Sequence, residues 1–202
     1  MKVAVIGASG MIGSRLTGEL AGRGHQVTAV TRHGSQVPGA AESVAGDLGD
    51  ADFVRQLAER NDAVVSATGP SRTGGDHQEW LDALHSAEQN IGGTRLFVVG
   101  GAGSLTVDGT RLVDQPGFPE VYKPEAVTQG KALDGLRRAP ESLDWTYLSP
   151  APEIAPGERT GAYRTGDDSP AGDRVSAEDF AVAIADELEQ PKHRRTRFTV
   201  AN

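Results

Sequence analysis

Apolar residues fall into short runs that alternate with longer segments of helical periodicity along the whole chain. Seven runs predict strands, at Val3–Ile6, Gln26–Val30, Glu42–Ala45, Ala63–Ala67, Arg95–Val99, Trp145–Leu148 and Arg197–Val200. Five segments predict helices, at Met11–Arg23, Asp50–Glu59, Gln78–Asn90, Pro124–Arg138 and Ala177–Glu189. In the first helix, Ile12, Leu16 and Leu20 recur at intervals of four and define one apolar face.

Strand–helix alternation of this kind predicts the α/β class. We expect a single doubly wound domain over residues 1–202, with a parallel sheet of about seven strands and helices on both faces. The strands are apolar without alternation, which is typical of strands buried on both faces. Two connections, at about 100–120 and 151–175, are long for a compact domain, and we expect them to form small substrate-binding loops.

The composition of the chain excludes some classes of function and disfavours others. The chain has 202 residues, no cysteine and a net charge of −8. Disulfides and thiolate chemistry are therefore excluded, and nucleic acid and anionic membranes are disfavoured as partners. The five histidines are scattered, so no metal site is expected. Since no signal peptide or membrane span is evident, we expect a cytoplasmic protein. We also expect a monomer or homodimer that binds a small-molecule substrate.

The segment Gly7-Ala8-Ser9-Gly10-Met11-Ile12-Gly13 directly follows the first strand and opens the first helix. In a doubly wound sheet such a loop lies at the ligand-binding edge. One glycine permits the turn, a second lets the backbone approach a pyrophosphate, and a third packs the helix on the strand. The segment therefore predicts dinucleotide binding, and the alternative is a purely structural turn.

The end of the second strand indicates which dinucleotide is bound. NAD sites usually carry an acid there, which binds the ribose 2′-hydroxyl, whereas this chain has Arg32 in about that position. A guanidinium favours a 2′-phosphate, so NADP is predicted, with NADPH preferred over NADH. Ser9 and Arg15 are placed to assist. The alternative is that Arg32 is an exposed loop arginine.

Two further loops complete the predicted cofactor site. Asp47 and Leu48 follow the third strand, where a carboxylate can accept from the adenine amino group; alternatively, Asp47 only caps the next turn. The small residues Ala67, Thr68 and Gly69 follow the fourth strand and let a cofactor pass over the sheet edge.

The segments MKVAVIGASGMIG, GDLGD, VVSATGP, LFVVGGAGSL and LDWTYLSPA together resemble the NAD(P)H-binding branch of the atypical short-chain dehydrogenase/reductases. This branch includes flavin/biliverdin-reductase-like proteins and nitrogen-repressor-like redox sensors. The resemblance implies a Rossmann fold with strand order 3-2-1-4-5-6-7. It also implies NADP contacts at Gly7, Ser9, Gly10, Met11, Ile12, Arg32, Asp47 and Leu48, and a nicotinamide near Gly101, Ala102, Ser149 and Pro150.

One departure from the resemblance concerns catalysis. Typical short-chain dehydrogenases use Tyr-x-x-x-Lys, but Ala126 stands four residues after Tyr122, so that proton relay cannot be transferred. Tyr122 and Ser104 remain candidate catalytic residues because they lie on or beside the long loop after the fifth strand. Alternatively, Tyr122 packs against the following helix.

Three functions are compatible with these features. The first is an NADPH-dependent reductase of a flavin, quinone or small carbonyl compound, acting by direct hydride transfer. The second is an NADP(H)-sensing regulator with little catalysis, and the third is a non-redox isomerase or cyclase. The glycine loop and Arg32 favour the first two.

Overall fold

The computed structural model describes residues 1–202. Its twelve strands are β1 (Lys2–Ile6), β2 (Gln26–Thr31), β3 (Glu42–Ala45), β4 (Ala63–Ser66), β5 (Arg95–Val99), β6 (Thr106–Val107), β7 (Thr110–Arg111), β8 (Trp145–Pro150), β9 (Glu153–Ala155), β10 (Arg164–Gly166), β11 (Arg174–Ser176) and β12 (Thr196–Ala201). Its five α-helices are α1 (Met11–Gly22), α2 (Ala51–Arg60), α3 (His77–Asn90), α4 (Lys123–Leu136) and α5 (Ala177–Glu189). All seven predicted strands and all five predicted helices are present, with bounds shifted by two residues at most.

The central sheet has eight strands in the order β10-β12-β8-β5-β4-β1-β2-β3. From β3 to β12 every neighbouring pair is parallel, which confirms the predicted α/β class and the strand order. The predicted number of about seven strands missed the edge strand β10, which pairs antiparallel with β12. Its sequence, Arg-Thr-Gly, has no apolar run, because an edge strand needs only backbone hydrogen bonds to join a sheet.

The two long connections contain short strands of their own. β6 and β7 form a hairpin within the connection that follows β5, and β9 and β11 form a separate parallel pair within the connection that follows β8. Strands of two or three residues are too short to show a hydrophobic period, so no pattern in the sequence predicts them.

Alternate residues of the strands face two separate apolar cores. Val3 and Val5 point to the core under α1 and α5, which also contains Phe180 and Phe198. Ala4 and Ile6 point to the core under α2, α3 and α4, where the two tryptophans lie. Both faces of the sheet are therefore covered, which leaves the strand ends as the places where a ligand can reach the backbone. None of the helices is long and apolar enough to span a bilayer.

Candidate functional site

The carboxyl ends of β1, β4, β5 and β8 lie side by side because these strands are parallel neighbours. The loops that leave this edge are the glycine segment 7–13, segment 67–70, segment 100–105 and the segment after Pro150. The topology thus places the predicted cofactor residues of β1, β4, β5 and β8 along one edge of the sheet.

The three glycines of the first loop differ in what a side chain would meet. Gly7 has a φ of +83°, and a Cβ there would lie 2.7 Å from the Ala67 carbonyl oxygen. A Cβ at Gly13 would lie 2.2 Å from the Gly7 carbonyl oxygen, closer than packing allows. At Gly10, which is exposed and has a φ of −75°, the nearest atom would be 3.2 Å away. The fold therefore demands glycine strictly at Gly7 and Gly13 but only weakly at Gly10.

The N-terminus of α1 is open to an anion. No side chain caps Gly10, and no acid lies in the first turn. By contrast, Asp50, Asp76 and Ser176 cap α2, α3 and α5, and each of these helices has an acid in its first turn. Free N–H groups and the helix dipole favour a phosphate group at such an end. With Ser9, Gly10 and Met11 all exposed, this loop fits the pyrophosphate of a dinucleotide.

Arg32 directly follows β2 and is exposed, and its guanidinium makes no hydrogen bond or salt bridge within the protein. Arg15 is different: its Nε donates to Glu178 at 2.6 Å and its Nη1 to the Met11 carbonyl at 2.9 Å. Of the two arginines, Arg32 is thus the free one, and the assisting role expected of Arg15 would require breaking its salt bridge. The 2′-phosphate contact of Arg32 stays a prediction.

The residues predicted for the adenine have structural roles as well. Asp47 is exposed, and its Oδ1 accepts from the Gly49 N–H at 2.8 Å, so it does stabilise the turn before α2. Leu48 is buried in the core beside that turn. One oxygen of Asp47 is left without a partner, so the turn and an adenine contact are compatible.

The segment after β4 lies against the end of β1 and against Gly7, the first residue of the glycine loop. The Ala67 N–H donates to the Ile6 carbonyl at 2.8 Å, and Thr68 accepts from the Trp80 indole at 3.0 Å. Gly69 is exposed. These contacts hold Ala67, Thr68 and Gly69 next to the end of β1, where the cofactor is predicted to cross the sheet.

The residues predicted near the nicotinamide divide into two groups. Gly101 and Ala102 are partly exposed, whereas Ser149 and Pro150 are buried at the end of β8. The candidate catalytic Ser104 is also buried, and its Oγ accepts from Arg197 Nη1 at 3.3 Å. Arg197 reaches the Ser149 hydroxyl as well, at 3.4 Å. Both serines are therefore buried beneath the loops, where Arg197 donates to their hydroxyls. Their contacts with the cofactor or the substrate stay predictions.

Arg197 is buried on β12 and also pairs with Asp168 from the second long connection. Burial opposes the ionisation of Asp168, but hydrogen bonds and charge from Arg197 and Arg137 outweigh it and lower the pKa of this carboxyl. The two long connections are thus tied together by one buried guanidinium.

Tyr122 lies in a 3₁₀ turn directly before α4 and is 60% exposed. Its ring is therefore not packed away under the following helix, which was the alternative considered. The neighbouring Lys123 directs its Nζ to Glu120 at 3.3 Å rather than to the tyrosine. Tyr122 is accessible to a substrate, but no lysine is paired with it.

Two polar residues at this edge were not predicted from the sequence. Tyr147 of β8 is completely buried; its hydroxyl donates to the Gln129 carbonyl at 3.0 Å and accepts from the Gly101 N–H at 3.3 Å. Burial raises the pKa of Tyr147 to about 12. Gln129 of α4 lies between the loops that follow β4 and β5. In the sequence, Gln129 is a polar residue within the apolar stripe of Ala126 and Leu133, but this pattern does not show which loops the side chain contacts.

A salt bridge joins the loop after β4 to helix α4. Arg72 donates to both oxygens of Glu125, at 2.7 and 2.9 Å. Arg72 is 75% exposed and Glu125 is 17% exposed, so the pair lies at the rim of the edge rather than below it.

Comparisons with known proteins agree with this geometry. A family model described as NAD(P)H-binding matches residues 7–191. The uncharacterized protein YwnB of Bacillus subtilis is 43% identical over 216 aligned residues, covering 100% of this chain and 99% of YwnB.

Two solved structures share the fold over their whole lengths. SP1627 of Streptococcus pneumoniae, named as a candidate NADH-flavin reductase, is 34% identical with a TM-score of 0.88, covering 100% of this chain and 99% of that one. A protein of Bacteroides thetaiotaomicron named as a candidate epimerase is 36% identical with a TM-score of 0.87, covering 99% and 96%. The likeness therefore extends to proteins with redox and non-redox names.

Proposed function

This chain belongs to the NAD(P)H-binding family, and from that premise we propose that it is an NADPH-dependent reductase of a flavin, quinone or small carbonyl compound. When bound along the carboxyl ends of the strands, the cofactor would supply a hydride to a substrate placed beside the ends of β5 and β8. The chain's own residues bind the cofactor, orient the acceptor and exclude water from the transfer.

The observation that carries the proposal is the contrast among the three glycines. Gly7 and Gly13 are required by the fold, whereas at Gly10 a Cβ would make one tight contact, 3.2 Å to the Gly7 carbonyl oxygen, which a small shift relieves. A glycine at that position, at the open N-terminus of α1, is explained by close approach of a pyrophosphate. The unpaired guanidinium of Arg32 supports the 2′-phosphorylated form.

The absence of a tyrosine–lysine pair favours substrates that need little help from an enzymic acid. Tyr122 is exposed without a lysine partner, and the buried hydroxyl of Tyr147 is held by two backbone groups. Hydride transfer between stacked rings requires proximity above all, so a flavin or quinone suits this site better than a simple ketone.

The same absence supports a second candidate function, an NADP(H) sensor with little turnover. The two are separated by incubating the purified protein with NADPH and a panel of flavins, quinones and small carbonyl compounds. Consumption of NADPH that saturates with one acceptor class supports the reductase. Nucleotide binding without consumption by any acceptor favours the sensor. The cytoplasmic location stays a prediction.

We expect NADPH to bind at least about tenfold more tightly than NADH, a difference of about 1.4 kcal/mol, because Arg32 is free to meet the 2′-phosphate. Arg32→Glu should reverse the preference, since it removes the cation and supplies an acceptor for a ribose hydroxyl. Calorimetric titration of both proteins with both nucleotides measures this. Equal affinities of the unaltered protein would remove Arg32 from the cofactor site.

Tyr122→Phe should lower turnover of a carbonyl substrate by at least about tenfold while the affinity for NADPH stays constant. The exposed hydroxyl is the protic group placed to orient a carbonyl oxygen at the start of α4. With a flavin the loss should be small. Steady-state kinetics with both acceptor classes measures the difference, and unchanged turnover of a carbonyl substrate would exclude Tyr122 from the reaction.

A further inference from the structure

The side-chain amide of Gln129 fills the gap between the loops that follow β4 and β5. Gln129 is 8% exposed. Its Oε1 lies 1.7 Å from where a Cβ of Gly101 would be, and its Nε2 lies 3.5 Å from the corresponding point at Gly69. Glycine at position 101 thus leaves the space that the amide occupies.

The hydrogen-bonding capacity of this amide is largely unused within the protein. Nε2 makes one long contact, 3.5 Å, to Glu125 Oε1, an oxygen that Arg72 already engages at 2.7 Å. No protein group donates to Gln129 Oε1. An amide with a free acceptor and a weakly used donor is prepared to bind a ligand that offers both functions.

The backbone of Gln129 is held in place from below. The buried Tyr147 hydroxyl donates to the Gln129 carbonyl and accepts from the Gly101 N–H, so one side chain of β8 fixes both the helix and the loop. At the preceding position, the hydroxyl of Thr128 donates to the Pro124 carbonyl at 2.8 Å. The backbone of Gln129 is therefore held by the fold before any ligand arrives, and burial confines its side chain between Gly69 and Gly101.

We propose that Gln129 binds the two hydroxyls of the ribose in the nicotinamide half of the cofactor, accepting from one hydroxyl at Oε1 and donating to the other from Nε2. This inference rests on the proposed function. A pyrophosphate at the N-terminus of α1 would leave the nicotinamide half of the cofactor to extend along the carboxyl ends of the neighbouring strands β4 and β5, which Gly69 and Gly101 follow. A primary amide pairs with a vicinal diol, and its neutrality suits an uncharged sugar.

The test compares three nucleotides that differ in how far they extend along the site. Adenosine 2′,5′-bisphosphate lacks the second ribose, 2′-phospho-ADP-ribose contains it, and NADPH adds the nicotinamide. Gln129→Met keeps the length of the side chain and removes its hydrogen bonds. We expect about tenfold weaker binding of 2′-phospho-ADP-ribose and NADPH, and unchanged binding of adenosine 2′,5′-bisphosphate, by calorimetric titration.

Lys131→Ala is the matched control, because it alters an exposed residue of the same helix, and it should change none of the three affinities. Equal losses for all three nucleotides in Gln129→Met would show a structural role and overturn the inference. It is also overturned by no loss at all, or by a loss for NADPH alone, which would place the contact on the nicotinamide. If the unaltered protein binds none of the three, the proposed function itself fails.

Discussion

Gly10→Val should abolish nucleotide binding, with a loss of at least about a hundredfold, while leaving the protein folded. The backbone of Gly10 is extended, with φ −75° and ψ 173°, and a β-branched residue adopts it without strain. The Cβ of the new side chain would meet only the Gly7 carbonyl oxygen, at 3.2 Å, and position 10 is exposed to the space above the N-terminus of α1. That space is where the proposed pyrophosphate lies.

Two glycines of α1, Gly13 and Gly18, serve as controls. Gly13→Ala should destabilise the fold by about 1–3 kcal/mol, because its Cβ would overlap the Gly7 carbonyl oxygen. Gly18→Ala meets nothing within 4 Å and should raise stability by about 0.5–1 kcal/mol without affecting binding. Thermal unfolding and nucleotide titration of the three variants distinguish a glycine that the fold requires from one that nucleotide binding requires. Normal affinity in Gly10→Val would show that this loop holds no pyrophosphate.

Glu187→Met should destabilise the protein by about 3–5 kcal/mol, because it leaves a buried guanidinium without its counter-ion. Glu187 of α5 and Arg95 of β5 are both buried, and their side chains are 2.6 Å apart. Arg95 also contacts the Glu187 carbonyl and the Thr146 hydroxyl, which do not neutralise its charge. Urea unfolding at neutral pH measures the change.

The double variant Arg95→Met/Glu187→Met should be more stable than Glu187→Met, since both charges are then removed together. Asp52→Ala, which breaks the exposed pair with Arg55, should have little effect. If the double variant is the less stable one, the cost in Glu187→Met does not come from an unpaired charge.

The pair also makes the fold sensitive to acid. Burial disfavours the charged form of Glu187, but the His193 N–H and Arg95 outweigh it and lower the pKa of this carboxyl. Because the pKa is lower in the folded state, the stabilisation is complete above the ordinary carboxyl pKa. It is lost as the pH falls through the lowered value.

The fold was largely predictable because each long element carries its own period. Burial of β1 and β4 on both faces requires continuous apolar runs, and α1 presents Leu16 and Leu20 to the core at helical spacing. The edge strand β10 was missed because its pairing with β12 is made by backbone alone, which leaves no trace in a three-residue sequence.

The candidate site was predictable only in its cofactor half. The glycine loop and Arg32 can be recognised in the sequence because each directly follows a predicted strand. Gln129 depends on α4 lying across two strand ends, and its role is visible only when Gly69, Gly101 and Tyr147 are brought together. Ser104 illustrates the opposite case, since its position in the chain suggested exposure but Arg197 holds it below the surface.

Direct hydride transfer from a bound nicotinamide is the central claim, and a single-turnover reaction tests it most directly. The protein is mixed with an accepted flavin, quinone or carbonyl compound and with NADPH deuterated at either the pro-R or the pro-S position of C4. A fixed nicotinamide exposes one face to the substrate, so the rate of NADPH oxidation should fall with one deuterated isomer and not with the other. Binding of NADPH without oxidation, or identical rates with both isomers and with unlabelled NADPH, would contradict the account.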